Sequence, residues 1–328
     1  MNKKTVLIIF ITLYTISVGA SIVILATGNK QQENQKQNKM SPFSSLTGIN
    51  KSSDIIGVIK IDEPIAFVSQ NSSIFVKQQR GAAFWLEQMD YATTNENVKA
   101  VIIRVNSPGG TVGASQELYA AVQRIKDAGK PVITSIADLS ASGGYYATVG
   151  SDRIFANPGS LVGSIGVILG GIEFADLLAK LGIKYQAITS GKNKDLLSPY
   201  KKMSAEQRSF LQKMVNNTYD QFLTTVAIGR KKDKEVIRPL ADGSVFTGEQ
   251  AVGNGLIDEL GSFYDVVAYT RKTYDLPKAN LELITPHSGA FNIKDLISVL
   301  APNTMPKMSL IDTTPALGYS PVLYLYQF

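Results

Sequence analysis

The chain has 328 residues, a formal net charge of +6 and an apolar fraction of 44%, which is typical of a protein with a hydrophobic core and excludes wholesale disorder. It contains no cysteine and a single histidine, His287, so disulfides, thiol catalysis and cysteine or His-rich metal sites are excluded. Any catalysis must therefore use Ser, Thr, Lys, Asp, Glu, Tyr or backbone groups, and we expect no cofactor and no metal.

The first predicted element is a membrane anchor. Residues 5–27 carry no charge and are rich in Ile, Leu and Val, and a helix of that length can cross the hydrocarbon core of a membrane. A cleaved secretory signal is the alternative, because Val18-Gly19-Ala20 has the small-residue pattern of a cleavage site. The apolar run continues past that site, so we favour a retained single-pass anchor over residues 1–28. The catalytic part of the chain is then expected on the extracytoplasmic side of the cell membrane.

Residues 29–54 are predicted to be a polar linker. They are rich in Gln, Asn, Lys and Ser, with almost nothing to bury, which is typical of a solvated tether. The cationic residues are scattered along the chain and are not interleaved with stacking aromatics. We therefore expect no nucleic-acid partner.

Residues 55–285 are predicted to be an α/β domain, because apolar β-branched runs alternate with helical spacing. The predicted strands are Ile55 to Ile61, Lys99 to Asn106, Pro131 to Ala137, Ile154 to Ala156 and Ile183 to Thr189. The predicted helices are Ala82 to Asp90, Ala114 to Ile125, Ser142 to Val149, Glu173 to Leu181, and a long one that starts at Ser204 with a capping box completed by Gln207. Residues 286–328 are predicted to be an irregular tail that ends in a strand-like apolar run, residues 322–326.

The candidate nucleophile is Ser142. It lies where a predicted strand ends and a helix begins, so its hydroxyl would sit at the positive end of the helix dipole. The pattern differs from the hydrolase elbow G-x-S-x-G, because Ser140 occupies the first glycine position. The alternative is that Ser142 only caps the helix. Gly143 and Gly144 leave room for a backbone to approach closely.

A second glycine cluster is a candidate oxyanion hole. Residues 106–110 read Asn-Ser-Pro-Gly-Gly directly after a predicted strand, and backbone N–H groups in such a place can hold an oxyanion. An ordinary β-turn is the alternative. A nucleotide site is rejected because no phosphate-binding glycine motif occurs.

The residues alone do not identify the general base. His287 lies in a loop-like segment without visible partners. Lys192 and Lys194 lie in a Gly/Ser/Pro-rich loop after a predicted strand, and a lysine can act as a base when burial favours its neutral form. Residue type does not distinguish the two lysines.

Several short motifs, taken in order, resemble one known family. They are the 106–110 cluster, Ser-Gly-Gly-Tyr-Tyr at 142–146, Gly-Ser-Ile-Gly at 163–166, and Ser-Gly-x-x-Lys-Asp-x-x-Ser-Pro at 190–199. With a downstream signature at 238–261, they make residues 55–274 similar to bacterial signal peptide peptidases of the SppA type. The resemblance implies a Clp/crotonase-like layered fold of ββα units.

The same resemblance implies a Ser/Lys dyad. It makes Ser142 the nucleophile and Lys194 the general base; Lys194 is preferred to Lys192 because it precedes an aspartate, as in the family pattern. It also implies that the N–H groups of Gly109 and Gly143 form the oxyanion hole. Ser164 would orient the lysine, and an ordinary turn serine is the alternative for that residue.

The resemblance also implies the partners. Like the short family form, the chain holds one repeat-sized unit, so a homo-oligomeric ring of eight subunits is expected, with each site shared between neighbours. The implied substrates are hydrophobic peptides, namely signal peptides already released from secreted preproteins. The alternatives are a related anchored Ser/Lys protease with a stomatin-like partner or another membrane-protein substrate, and a non-catalytic crotonase-like scaffold.

Overall fold

A mostly parallel β-sheet organises the protein in a computed structural model that describes residues 53–67, 81–285 and 323–325. Eight described strands form this sheet in the order β7-β6-β4-β2-β1-β9, with β5 paired to β4 and to β8. Two further strands, β3 and β10, form a separate two-stranded sheet, and Gly110 of β3 also forms an isolated bridge with Ile65. The strands are β1 (Ile55–Ile61), β2 (Val98–Ser107), β3 (Gly109–Thr111), β4 (Val132–Ala141), β5 (Arg153–Ala156), β6 (Leu161–Gly163), β7 (Val245–Thr247), β8 (Glu259–Leu260), β9 (Asn280–Leu283) and β10 (Leu323–Leu325).

Helices cover the two faces of the sheet. They are α1 (Ala82–Thr94), α2 (Val112–Asp127), α3 (Gly143–Thr148), α4 (Ala175–Lys180), α5 (Ala205–Gly229), α6 (Lys234–Ile237), α7 (Gly248–Asn254) and α8 (Phe263–Thr273), with a 3-10 turn at Arg238–Leu240. The mixed α/β class predicted from the sequence is confirmed.

The apolar sequence of β2 is explained by its place in the middle of the sheet. Strand β2 is flanked by β1 and β4, and a parallel strand covered on both faces needs a nearly continuous apolar run. Ile103 and Val105 belong to the core that α1 and α2 complete. Arg104 points to the opposite face, where its guanidinium lies 5.6 Å from the ring centroid of Phe263 in α8.

The carboxyl ends of β2, β4 and β6 lie side by side. Ser107 at the end of β2 is opposite Ser140 of β4, and Ala141 of β4 is opposite Gly163 of β6. Because parallel strands end at the same edge, the residues that follow them are brought together although they are far apart in sequence.

One predicted strand is wrong. Residues 183–189 form no strand, and all of them are exposed. An alternating apolar pattern produces a strand only where a neighbouring strand supplies the ladder of hydrogen bonds, and the described part of the chain places none beside this segment.

Several predictions lie outside the described residues. These are the anchor at 1–28, almost all of the linker at 29–54, His287, and the tail at 286–328 except β10. Within the described residues, no helix combines the length and the apolar character that a membrane crossing requires.

Candidate active site

Ser142 occupies the sharp turn between β4 and α3. Its φ is 52° and its ψ is −119°, a region that residues other than glycine rarely adopt. The turn is held on both sides, because the Ser142 N–H donates to the Gly163 carbonyl at 2.8 Å and the Ser142 carbonyl accepts from the Tyr146 N–H at 2.9 Å. The sequence lacks the G-x-S-x-G pattern, yet the strand–serine–helix turn has the strained form of a nucleophile elbow.

The Ser142 side chain does not cap the helix. Ser142 is at the N-cap position of α3, but its side chain makes no capping hydrogen bond. The residue as a whole is 1% exposed. The capping alternative therefore does not describe this serine, and its hydroxyl is left for another role.

Ser164 lies beside Ser142. It directly follows β6, as Ser142 directly follows β4, and the last residues of these two strands are paired. Ser164 also has a positive φ, 48°, and its N–H donates to the Ser244 carbonyl at 2.7 Å. The structure thus brings these two predicted site serines together at one sheet edge.

The first turn of α3 offers a backbone donor. Gly143 is the first residue of the helix, and the N–H groups of a first turn have no carbonyl partner within their own helix. Gly144 serves packing instead, because a Cβ on it would lie 2.8 Å from the Ser107 carbonyl oxygen. Glycine at 144 therefore lets α3 sit against the end of β2, so the backbone that approaches this glycine closely is the chain's own, at Ser107.

Gly109 belongs to a short strand as well as to a turn. It begins β3, its φ is 97°, and its N–H donates to Ser107 Oγ at 3.2 Å. The Ser107 hydroxyl in turn donates to the Glu63 carbonyl at 2.8 Å. Ser107 thereby positions Gly109, a role that the sequence does not signal, since a serine in an Asn-Ser-Pro-Gly-Gly run looks like an ordinary turn residue.

Lys194 differs from the buried serines in its surroundings. It is exposed, and its backbone N–H donates to the Gly191 carbonyl at 3.1 Å. Within the described part of the chain, no hydrogen bond or ion pair joins its side chain to Ser142 or Ser164. Lys192 differs, because its ammonium pairs with Glu206 at 2.6 Å. Adjacent strand ends therefore carry Ser142 and Ser164, whereas no described hydrogen bond or ion pair links the Lys194 side chain to either serine.

Two buried side chains close to Ser142 in the sequence, those of Tyr145 and Ser140, were not predicted to belong to the site. The Tyr145 hydroxyl donates to the Leu256 carbonyl at 2.6 Å, and burial raises the pKa of Tyr145 well above its usual value. The Ser140 hydroxyl is buried without a hydrogen-bond partner in the described residues. The only sequence signal for Tyr145 is a large residue directly after two glycines, which is typical of a helix packed tightly through one face.

Among residues 53–67 and 81–285, no cluster of three or more His, Asp or Glu side chains is placed to hold a metal ion.

Comparison with known proteins shows the class of this chain. The model of peptidase family S49 matches residues 124–276, a stretch that holds Ser142, Ser164 and Lys194. An Enterococcus faecium protein named after signal peptide peptidase SppA is 34% identical over 79% of this chain and 78% of its own length. The chain therefore belongs to peptidase family S49 and is a serine-type protease.

Other relatives, matched over a smaller share of their own length, carry related names. Protease 4 of Salmonella typhi is 36% identical over 60% of this chain but only 31% of its own length. The chloroplastic serine protease SPPA of Arabidopsis thaliana is 29% identical over 65% of this chain and 32% of its own length. A solved structure of a membrane-bound stomatin-specific protease covers 71% of this chain and 98% of its own, with 17% identity and a TM-score of 0.46.

Proposed function

We propose that the protein is a membrane-anchored serine endopeptidase that degrades signal peptides after their release from secreted preproteins. Its nucleophile is Ser142 and its general base is Lys194 of a neighbouring subunit in a homo-oligomeric ring. The observation that carries this proposal is the strained turn that holds Ser142 without using its side chain as a helix cap. A non-catalytic scaffold has no need of such strain.

The exposure of the segment that carries Lys194 supports the proposed ring. That segment, residues 168–214 (the Lys194 segment), exposes many large apolar side chains, which on a single chain marks an interaction surface. They are Ile168, Ile172, Leu177, Leu181, Ile183, Tyr185, Ile188, Leu197, Tyr200, Phe210 and Met214. In the proposed ring of eight subunits this segment packs on a neighbour and delivers Lys194 to that neighbour's Ser142. Burial there favours the neutral amine.

The proposed reaction balances without a cofactor. Neutral Lys194 takes the Ser142 proton while Oγ bonds to the peptide carbonyl carbon, and Ser164 orients the amine. The N–H groups of Gly143 and Gly109 hold the resulting oxyanion; the Gly109 N–H exchanges its bond to Ser107 Oγ for one to the oxyanion. The lysine ammonium then protonates the leaving amine as the C–N bond breaks. Water hydrolyses the acyl ester, and its proton passes through Lys194.

The remaining parts of the proposal rest on sequence. Residues 1–28 anchor the chain in the cell membrane, residues 29–54 tether the protease on the extracytoplasmic side, and the domain adopts the Clp/crotonase-like layering of ββα units. An anchored protease of this kind meets apolar peptides that remain in the membrane. The SppA name of the Enterococcus faecium relative supports this substrate class.

Three variants and one label test the dyad. We expect a serine-directed phosphonate to label Ser142, as located by mass spectrometry. Ser142→Ala and Lys194→Ala should each lower the cleavage rate of an apolar model peptide by at least about 10³-fold. Lys192→Ala is the matched control, because its ammonium is paired with Glu206, and it should retain activity. Full activity in Lys194→Ala, or loss in Lys192→Ala alone, would contradict the assignment of the base.

A further inference from the structure

The loop that carries Lys194 is fixed at both of its ends. Gln207 of α5 donates from Nε2 to the Lys192 carbonyl at 3.1 Å, and the Phe174 N–H donates to the Pro199 carbonyl at 2.6 Å. Between these two bonds the chain forms turns and neither a helix nor a strand. The backbone of the loop is therefore held within its own chain, while Lys194 itself is exposed.

The acidic residues of the Lys194 segment interact with lysines other than Lys194. The segment contains four carboxylates, and three of them form ion pairs at 2.6 Å. These pairs are Asp176–Lys202, Asp195–Lys201 and Glu206–Lys192. The charge of the fourth carboxylate, that of Glu173, acts on Lys202 as well. Within the part of the chain that the structure describes, none of the ion pairs includes Lys194.

The pair between Asp195 and Lys201 is the least exposed of the three. The Asp195 side chain is 18% exposed and that of Lys201 is 30% exposed, whereas the side chains of the other two pairs are all at least 65% exposed. An ion pair in full contact with water contributes little to stability. A mostly buried carboxylate without a partner is costly, so it binds another cation within reach. The cation nearest to Asp195 in the sequence is Lys194.

We propose that Lys201 is a positioning residue for the proposed general base, because it holds the Asp195 carboxylate and so keeps that carboxylate from pairing with Lys194. The inference rests on the proposed function, in which Lys194 must be a neutral amine to accept the Ser142 proton. A carboxylate paired with this amine would favour its charged form. The Asp195–Lys201 pair thus occupies the one negative charge that the chain places directly beside its proposed base.

A double substitution separates charge from loop structure. Lys201→Met leaves Asp195 without its partner, so we expect kcat/KM for an apolar model peptide to fall at least about tenfold at neutral pH and to recover as the pH is raised. Lys201→Met combined with Asp195→Asn lacks the same ion pair but has no free carboxylate, and it should regain the wild-type pH profile. Equal losses in the two variants at every pH would show a role limited to loop stability and would overturn the proposal.

The matched control is Lys202→Met, which frees the carboxylate of Asp176. That side chain is 72% exposed, so water and salt screen its charge, and we expect an unchanged pH profile. Lys201→Arg keeps a cation for Asp195 and should also leave the profile unchanged. A shift in Lys202→Met as large as that in Lys201→Met would contradict the particular role of Lys201.

A measurement without turnover keeps this inference distinct from the proposed function. In the Ser142→Ala background, acetic anhydride modifies neutral amines, and mass spectrometry compares acetylation of Lys194 with that of Lys213, an exposed lysine of α5. We expect Lys201→Met to lower the relative acetylation of Lys194 at least about tenfold at neutral pH, and the added Asp195→Asn to restore it. Unchanged acetylation in Lys201→Met would overturn the inference even in an active enzyme. Lowered and restored acetylation with an inactive wild-type enzyme would overturn the proposed protease function and leave the role of Lys201 standing.

Discussion

At the scale of single residues, the site is organised around backbone strain at Ser142. A non-glycine residue with φ 52° and ψ −119° costs of order 1–3 kcal/mol. That cost is offset by the bonds that hold the turn, to Gly163 on one side and from Tyr146 on the other. In return Ser142 occupies the N-cap position of α3, directly before Gly143, with its side chain free of a capping hydrogen bond. The strained turn therefore lowers the stability of the fold while it fixes the position of the Ser142 side chain.

This strain predicts an inverted stability order at position 142. Ser142→Gly should be more stable than Ser142→Ala by about 1 kcal/mol, because glycine relieves the positive φ although it gains more entropy on unfolding. Urea unfolding of both variants measures the difference. The control pair is Ser115→Gly and Ser115→Ala inside α2, where alanine should be the more stable by about 1 kcal/mol. If alanine were more stable than glycine at position 142 as well as at position 115, the backbone of Ser142 would not be strained.

The pH profile follows from the proposed base. Only the neutral amine of Lys194 accepts the Ser142 proton, so kcat/KM should rise as the pH is raised. The Tyr145 phenol does not limit this rise, since burial raises its pKa and keeps it protonated through the same range. Lys194→Arg should be inactive at every pH because a guanidinium keeps its proton. An acid optimum for the wild-type enzyme would be incompatible with a lysine base.

At the scale of elements, the contact of α3 with the end of β2 sets the site geometry. A Cβ at position 144 would lie 2.8 Å from the Ser107 carbonyl oxygen, so Gly144→Ala must push the helix away from Ser107 and Gly109. We expect a loss of about 1–3 kcal/mol in stability and a lower kcat. Gly113→Ala in α2 is the control, because nothing lies within 4 Å of its added Cβ, and it should be stabilising by about 0.5–1 kcal/mol. An undiminished kcat in Gly144→Ala would show that this contact does not position the nucleophile.

Much of the element order could be predicted because local signals coincide with burial. The β-branched run of β1 has the predicted bounds Ile55–Ile61, and Ser204 with Gln207 forms the predicted capping box of α5. The strand predicted at residues 183–189 is wrong because a strand also needs a neighbouring strand to pair with, which an apolar pattern alone does not specify. The backbone conformation of Ser142 could not be predicted for a related reason. It is held by Gly163, 21 positions further along the chain, and by a helix start that composition does not specify.

At the scale of the whole molecule, the two halves of the proposed dyad have opposite surroundings. Ser142 is buried at the sheet edge. Lys194 lies on the Lys194 segment, whose large apolar side chains are exposed to solvent. Even α5 shows this division, because Phe222 and Val226 are buried while Phe210 and Met214 near its start are exposed. In the sequence all four recur at multiples of four residues, which is the spacing of an apolar helix face. The exposed half is the surface that a neighbouring subunit is proposed to cover.

Mixed rings distinguish a shared site from a site within one chain. Ser142→Ala and Lys194→Ala chains are each inactive in the proposal, but co-expressed in equal amounts they form sites in which an intact Ser142 meets an intact Lys194 from the next subunit. In a closed ring of random composition, about one quarter of the sites are of this kind, so the mixture should recover about a quarter of the wild-type rate. The control is a mixture of Ser142→Ala chains with a Ser142→Ala/Lys194→Ala double variant, which contains no intact serine. Complementation requires the neighbour's lysine, so a mixture as inactive as this control would place serine and lysine in the same chain and remove the reason for the ring.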